Sequence, residues 1–207
     1  MFCRVEVKEK DDFYDAVGES VKKDIIDLGF KNKIKKVRFV YVYLLEGDIN
    51  ESEVKKISEE LFIDPVTQEY AIKGNVALEK GFKVVEVAYN PGVMDPVEDS
   101  AKKAIQDLGI NGIRAVKTAK KYLLKGRLTN NEIHSMAEKV LYNKVIQHIV
   151  KGALAIYPEP PPYQFKLIDI DILKASDKKL KDISKIGQLF LNLEEMRAIQ
   201  AYFRKAN

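Results

Sequence analysis

The 207-residue chain has a single cysteine, Cys3, so no disulfide can form within it and no cysteine-based zinc cage can be built. Its apolar runs extend only a few residues, far short of the roughly 20 that span a bilayer. The opening stretch MFCRVEVKEK is polar and alternating and lacks the apolar core of a signal peptide. Neither GxxxxGK[ST] nor GxGxxG occurs, so no phosphate-cradling loop is expected. The only histidines, His134 and His148, are separated in sequence and have no cysteine nearby, which makes them poor zinc ligands. Charge of one sign is scarce as well: 35 basic against 31 acidic residues leave a net charge of +4. The lysine pairs Lys22–Lys23, Lys35–Lys36, Lys102–Lys103 and Lys120–Lys121 are scattered, and they read as solvated faces rather than as a nucleic-acid stripe. A membrane location and a nucleic-acid partner are thus not expected. A reducing, cytoplasmic setting is.

The chain does contain a repeat. Phe2–Val7 (FCRVEV) matches Phe82–Val87 (FKVVEV), and Asp15–Gly29 matches Asp95–Gly109, at a period of about 80 residues. After a one-residue slip, Tyr43-Leu44-Leu45 and Gly47 match Tyr122-Leu123-Leu124 and Gly126. Glu53, Glu59, Val66 and Gln68 then match Glu132, Glu138, Val145 and Gln147.

Each copy reads β-α-β-α-β. An alternating strand comes first, followed by a helix near 14–28 whose apolar stripe is Val17, Val21, Ile25 and Leu28, stopped by Gly29. In copy two the stripe is Val97, Ala101, Ile105 and Leu108, with Asp95 as N-cap, Pro96 as first helical residue and Gly109 as the stop. A long β segment occupies 34–46 or 113–125, and its tyrosines Tyr41, Tyr43 and Tyr122 lie in apolar surroundings that predict burial. Asn50 with Glu53, and Thr129 with Glu132, predict capping boxes for the second helices. A short strand, 66–72 or 145–151, closes each copy. The fold class is therefore α+β, with two tandem units packed as a pseudo-twofold pair, the long strands at the seam and helices over the sheet. The organisation is 1–78, 79–153, and a third segment, 154–207.

That third segment opens on Pro158, Pro160, Pro161 and Pro162, a stiff linker. Ile168, Ile170 and Ile172 alternate with Asp169 and Asp171, which predicts a strand. Ser176 caps a helix with Leu180 and Ile183. Asn192 caps a last helix with Leu193, Met196, Ile199 and Phe203 on one side. No catalytic constellation is present: Glu59–Glu60 read as solvated charges, Asp11–Asp12 as turn chemistry, and Cys3 as a small buried or edge residue.

Asn90-Pro91-Gly92-Val93-Met94-Asp95-Pro96, followed by Ala101, Ala104-Ile105 and Leu108-Gly109, resembles the signature of the PurS family. The closing pieces Asp64-Pro65-Val66-Thr67-Gln68-Glu69-Tyr70 and Asn143-Lys144-Val145-Ile146-Gln147 resemble that family's terminal strand. The resemblance covers about 1–152, and copy one departs from it at Asp12-Phe13-Tyr14. Ser176–Leu180 and Leu191–Phe203 are similar to the linker that opens PurL, the large synthetase subunit. The chain thus looks like the start of a fused PurS–PurL protein, either a piece of it or a short gene product. The resemblance implies a non-catalytic component of phosphoribosylformylglycinamidine synthase that bridges PurL to the glutaminase PurQ and helps ammonia transfer. It implies no cofactor in this chain, with ATP and magnesium used by the full enzyme. It leaves open a homodimer of the duplicated chain. The partner-contact candidates are Pro91, Gly92, Val93, Asp95, Met196 and Phe203. Two competing readings are a metabolite-binding regulatory module, with Pro91-Gly92-Val93 lining its pocket, and an RNA-binding scaffold using the lysine pairs.

Overall fold

A computed structural model of the chain describes residues 2–73, 81–151 and 165–206. The chain divides into two compact units, Met1–Pro160 and Pro161–Asn207. The proline linker expected between the repeats and the last helices lies outside the described residues.

The first unit is built on one six-stranded antiparallel sheet. Copy one contributes β1 (Phe2–Glu9), α1 (Ala16–Ile25), β2 (Ile34–Gly47), α2 (Glu51–Ile57) and β3 (Gln68–Ile72). Copy two contributes β4 (Phe82–Tyr89), α3 (Glu98–Asp107), β5 (Ile113–Gly126), α4 (Asn130–Met136) and β6 (Gln147–Ile149). The strand order β3-β1-β2-β5-β4-β6 reads the same from either edge once the copies are matched. The long strands β2 and β5 pair with each other at the seam, as the repeat predicts. Tyr41 faces Lys120 in that ladder. These two positions are equivalents in the repeat, so the pseudo-twofold axis passes through them.

Alternation on the strands separates the two faces. Cys3, Val5, Val7 and Leu45 pack with Val54 and Ile57 of α2 and with Ala101 and Ile105 of α3. Val37, Phe39, Tyr122 and Leu124 pack with Ile25 of α1, with Met136 of α4 and with Ala137 just after it. Each hydrophobic core therefore takes one helix from each copy, so neither copy closes a core alone. The other face carries Val40, Val42, Leu44, Ala119 and Leu123, grouped with no helical residue.

Local chemistry sets the helix ends. Asn50 with Glu53, and Thr129 with Glu132, form the expected capping boxes. Three helices, α1, α2 and α4, run on into a wider π-helical turn of five residues, which the apolar periodicity does not reveal. Gly29 and Gly109 stop the first helix of each copy in the left-handed region, at φ 95° and 83°.

Two helix expectations are corrected. Val17 and Leu28 are exposed, whereas Gly18 and Ile25 are buried. The Asp15 carboxylate holds the Gly18 N–H at 2.7 Å, which turns Gly18 toward the sheet and Val17 away from it. In copy two α3 starts at Glu98 rather than at Pro96, because Asp95 spends one oxygen on the Val97 N–H (2.9 Å) and the other on Thr118 of β5. Of the three tyrosines expected to be buried, Tyr122 is; Tyr43 is half-buried, and Tyr41 is exposed.

Both ends of the seam are tight. A methyl group on Gly112 would collide with the Asp48 carbonyl, and one on Gly126 with the Lys33 carbonyl. The crowding atoms are backbone, and the backbone there is held by Asp48 N–H to Gly112 O and by Arg127 N–H to Lys33 O, both 2.8 Å. Gly112→Ala or Gly126→Ala is therefore expected to cost about 1–3 kcal/mol, the usual range for overpacking. Urea unfolding checks this, and a loss below about 0.5 kcal/mol, the level of neutral surface changes, would contradict it.

The second unit contains α5 (Asp177–Ile186) and α6 (Leu193–Ala206), which pack against each other, and Leu180, Ser184 and Met196 are buried. Ser176 caps α5, and Asn192 forms a reciprocal box with Glu195. The strand expected over 168–172 does not form, and Ile168 is 72% exposed. A period-two pattern becomes a strand only where a neighbour supplies a ladder, and the described residues of this unit supply only helices. Side chains of α6 bind the adjoining backbone instead: Gln200 donates to the carbonyls of Ile172 (2.7 Å) and Ala175 (2.9 Å), and Arg204 donates to that of Leu173.

Candidate functional site

The turn after the first strand, the start of the following helix and the turn before the last strand come together in each copy. In copy one the Lys10 N–H donates to Thr67 O at 2.9 Å, and its ammonium donates to the carbonyls of Pro65 and Val66, each at 2.8 Å. In copy two Asn90 occupies the same place: its N–H donates to Ile146 O (2.9 Å) and its amide to Val145 O (3.2 Å). A buried acid anchors each turn to its long strand. Asp15 accepts from Gly18 N–H and, at 2.8 Å, from Phe39 N–H. Asp95 accepts from Thr118 N–H (2.8 Å) and Thr118 Oγ1 (2.7 Å). Asp95 is therefore a buried anchor, while Pro91 and Gly92 lie exposed and Val93 half-exposed at the tip above it.

Around these anchors both copies expose apolar side chains at matching positions. Tyr14 (75% exposed), Val17 and Val66 in copy one correspond to Met94 (79%), Val97 and Val145 in copy two. The rest of the two surfaces has diverged. Copy one has an open groove of about 300 Å³ lined by Phe13, Tyr14, Val17, Phe39 and Tyr41, with Lys8, Glu9 and Gln68 at its edge. The metabolite reading places a pocket at Pro91-Gly92-Val93; this groove lies at the equivalent turn of copy one.

The sheet face opposite the helices holds a second constellation. Arg4 grips Glu86 with both terminal guanidinium nitrogens (2.9 and 2.6 Å) and reaches Glu6 through Nε at 2.8 Å. Lys121 binds both oxygens of Glu6 at 2.9 Å. Glu6 and Glu86 are equivalents in the repeat, and each takes a base from the other copy, Glu6 from Lys121 across one intervening strand and Glu86 from Arg4 across two. Glu6 is 1% exposed and Lys121 5%. Burial pushes the Glu6 carboxyl up, but the Lys121 ammonium and the Arg4 guanidinium outweigh it and hold the group below the usual carboxylate range. Arg4 is raised by Glu86 and Glu6 in spite of its own desolvation. The expectation that Lys120–Lys121 is a solvated pair holds for Lys120 alone. Alternating strands normally send charge outward, and nothing in the local pattern marks this face as buried.

The remaining candidates lie apart. Met196 of α6 is 1% exposed, whereas Phe203 of the same helix is exposed. Cys3 is buried, which raises its thiol pKa. His134 neighbours Glu138 at 3.3 Å, and His148 Nδ1 lies 3.1 Å from Asn90 Oδ1. Among the described residues no group of three or more His, Cys, Asp or Glu side chains could hold a metal ion, and no helix is long and apolar enough to cross a membrane.

Fold and surfaces together define a duplicated α+β protein whose two copies share one sheet, two cores and one ion cluster. The family model of PurS, described as phosphoribosylformylglycinamidine (FGAM) synthase, matches residues 2–75 and again 83–151. The chain belongs to that family, tandemly duplicated, and so to the FGAM synthase system of purine biosynthesis. Among curated proteins none matches the chain.

Proposed function

We propose that the chain is a non-catalytic bridging component of FGAM synthase, which joins the synthetase PurL to the glutaminase PurQ and helps ammonia pass between them. The observation that carries this reading is the fused sheet. The β2–β5 ladder gives one chain the paired module that two single-copy chains would otherwise have to assemble, at the high effective concentration of a covalent link. The likeness of 176–203 to the opening linker of PurL supports a PurL-facing role for the second unit. In this reading the ATP and magnesium chemistry belongs to the synthetase. The protein works in the cytoplasm in this reading.

The test is reconstitution of the matching synthetase and glutaminase with and without the chain. Omitting it is expected to lower glutamine-dependent activity by about tenfold or more, as loss of linked binding does, while activity with added ammonium salt persists. Equal glutamine-dependent activity in both preparations would refute the bridge. The copy-one groove favours the second reading, a metabolite-binding regulatory module. A ligand-dependent rise in melting temperature with no dependence of synthesis on the chain would put that reading first.

A further inference from the structure

We propose that one end of the seam docks an acidic surface of a partner polypeptide and that the opposite end does not. The docking end is built by Lys31, Lys33, Lys35 and Lys36 at the start of β2 and by Lys125 and Arg127 at the end of β5. This rests on the bridging reading and deepens it: the two ends of the module address different partners.

Charge is segregated along these stretches of the chain. From Leu28 to Leu45, and again from Leu108 to Asn131, there is no acid. The β2–β5 ladder brings the basic ends of the two stretches together. Ile34 pairs with Gly126 and Lys36 with Lys125, and the Arg127 N–H donates to the Lys33 carbonyl at 2.8 Å. Like charges directly opposite each other weaken a ladder, so the Lys36–Lys125 pair is a cost that the fold does not require. The repeat supplies the control. Lys33, Lys35, Lys36, Lys125 and Arg127 correspond to Gly112, Arg114, Ala115, Glu46 and Asp48 at the other end of the same seam. There one base meets two acids, and Arg114 pairs with Glu46 at 3.4 Å. The same architecture therefore accepts acids at these positions, and the basic end is a choice of residues.

The acids that reach the basic end are already held. Lys33 pairs with Glu132, and Lys8 (3.3 Å) and Arg38 (3.1 Å) pair with Asp11. Lys31, Lys35 and Arg127 are exposed, and their side chains have no carboxylate partner among the described residues. The end therefore carries a surplus of base, which steers and holds an anion. A polypeptide acid suits it better than a phosphate or a nucleic acid. The helix start beside it, α4, is already capped by the Thr129–Glu132 box and offers no phosphate cradle. Phe82, the ring beside Lys125 (5.2 Å), is half-buried, and so is Phe30, so ring faces for base stacking are scarce. The bases also sit at the ends of two neighbouring strands rather than along a stripe. A symmetric homodimer must present identical ends. Duplication removes that constraint, and these residues show where the two ends have parted.

The experiment is an NMR titration of the labelled full chain with hexa-glutamate and, separately, with hexa-arginine and with an adenylate hexamer. Hexa-glutamate is expected to shift the amides of Lys31–Lys36 and Lys125–Arg127, to leave those of Glu46–Asp48 and Gly112–Ala115 in place, and to bind more weakly as salt rises. The double variant Lys125→Glu/Arg127→Asp copies the acids of the equivalent positions. It is expected to weaken binding by about five- to thirtyfold, the span of a few exposed ion pairs. Its melting temperature should not fall, because the change at 125 gives Lys36 an opposite charge to face. Lys35→Glu, at an exposed position, is expected to weaken binding by about two- to fivefold on its own. Equal shifts at both ends, an equal response of this end to hexa-arginine, unaltered binding by either variant, or tighter binding of the adenylate hexamer would each overturn the proposal. In the reconstituted enzyme the double variant should release one partner and retain the other. Retention of both, with glutamine-dependent activity intact, defeats the docking end and leaves the bridge standing. Hexa-glutamate binding as described, with a chain dispensable for activity, defeats the bridge and leaves the docking end.

Discussion

Lys121→Met is expected to destabilise the protein by about 3–5 kcal/mol, the range for breaking a buried ion pair by removing one partner. Lys121 contacts both oxygens of Glu6 at 2.9 Å, and its loss removes that compensation from a carboxylate only 1% exposed. Removing the acid as well, in Glu6→Gln/Lys121→Met, should cost less than the sum of the single changes, because no uncompensated charge then stays in the sheet. Urea unfolding of the four proteins closes that cycle, and strict additivity would mean the two groups do not interact. The same pair fixes a pH response. Glu6 has its folded pKa lowered, so its stabilisation is present above the ordinary glutamate value of about 4.3 and disappears as pH falls through the lower folded value. Wild type should lose stability in that acid window more steeply than Glu6→Gln, and parallel curves would remove Glu6 from the account.

The second large effect is expected at Asp15. Its two oxygens do separate work, one holding Gly18 N–H at the start of α1 and the other Phe39 N–H in β2. Asp15→Ala deletes a helix cap and strands a buried strand amide, so the loss should be about 2–4 kcal/mol. Asp15→Asn is not expected to restore it, since an amide group offers one acceptor oxygen and would turn its NH2 toward the second donor. Full rescue by asparagine, measured by thermal unfolding, would show that only one of the two bonds matters. Because Tyr14 adjoins Asp15, the variant should also disorder the copy-one groove while leaving the Asp95–Thr118 anchor untouched.

These residues show what a sequence displays and what it hides. The repeat, the capping boxes at Asn50 and Thr129 and the glycine stops at Gly29 and Gly109 are local signals, and they appear in the structure where the spacing predicts them. The seam was legible as well, since two copies with a long apolar strand apiece have that strand to share. The ion cluster was not. Arg4, Glu6, Glu86 and Lys121 each occupy the polar position of an alternating strand, and only the pairing of β1, β2, β5 and β4 brings them together. The acids of the turn likewise read as caps or loop charges, because a cap and a strand anchor use the same residue type and differ only in what the second oxygen meets. The Ile168–Ile172 alternation failed for the opposite reason: the local pattern was sound and the neighbouring strand it requires is not among the described residues of that unit.

The sharing of cores between copies has a consequence for synthesis on the ribosome. When β2 emerges, its partner β5 lies roughly 80 residues further on, on the order of 4–16 s away at ordinary elongation rates. Through that interval copy one has an unpaired strand edge, and its helices α1 and α2 lack the helices α4 and α3 that complete their cores. The nascent chain must therefore carry an unfinished first half until the second arrives, a window in which a holding chaperone, or another nascent copy offering the same strand, competes with the correct partner.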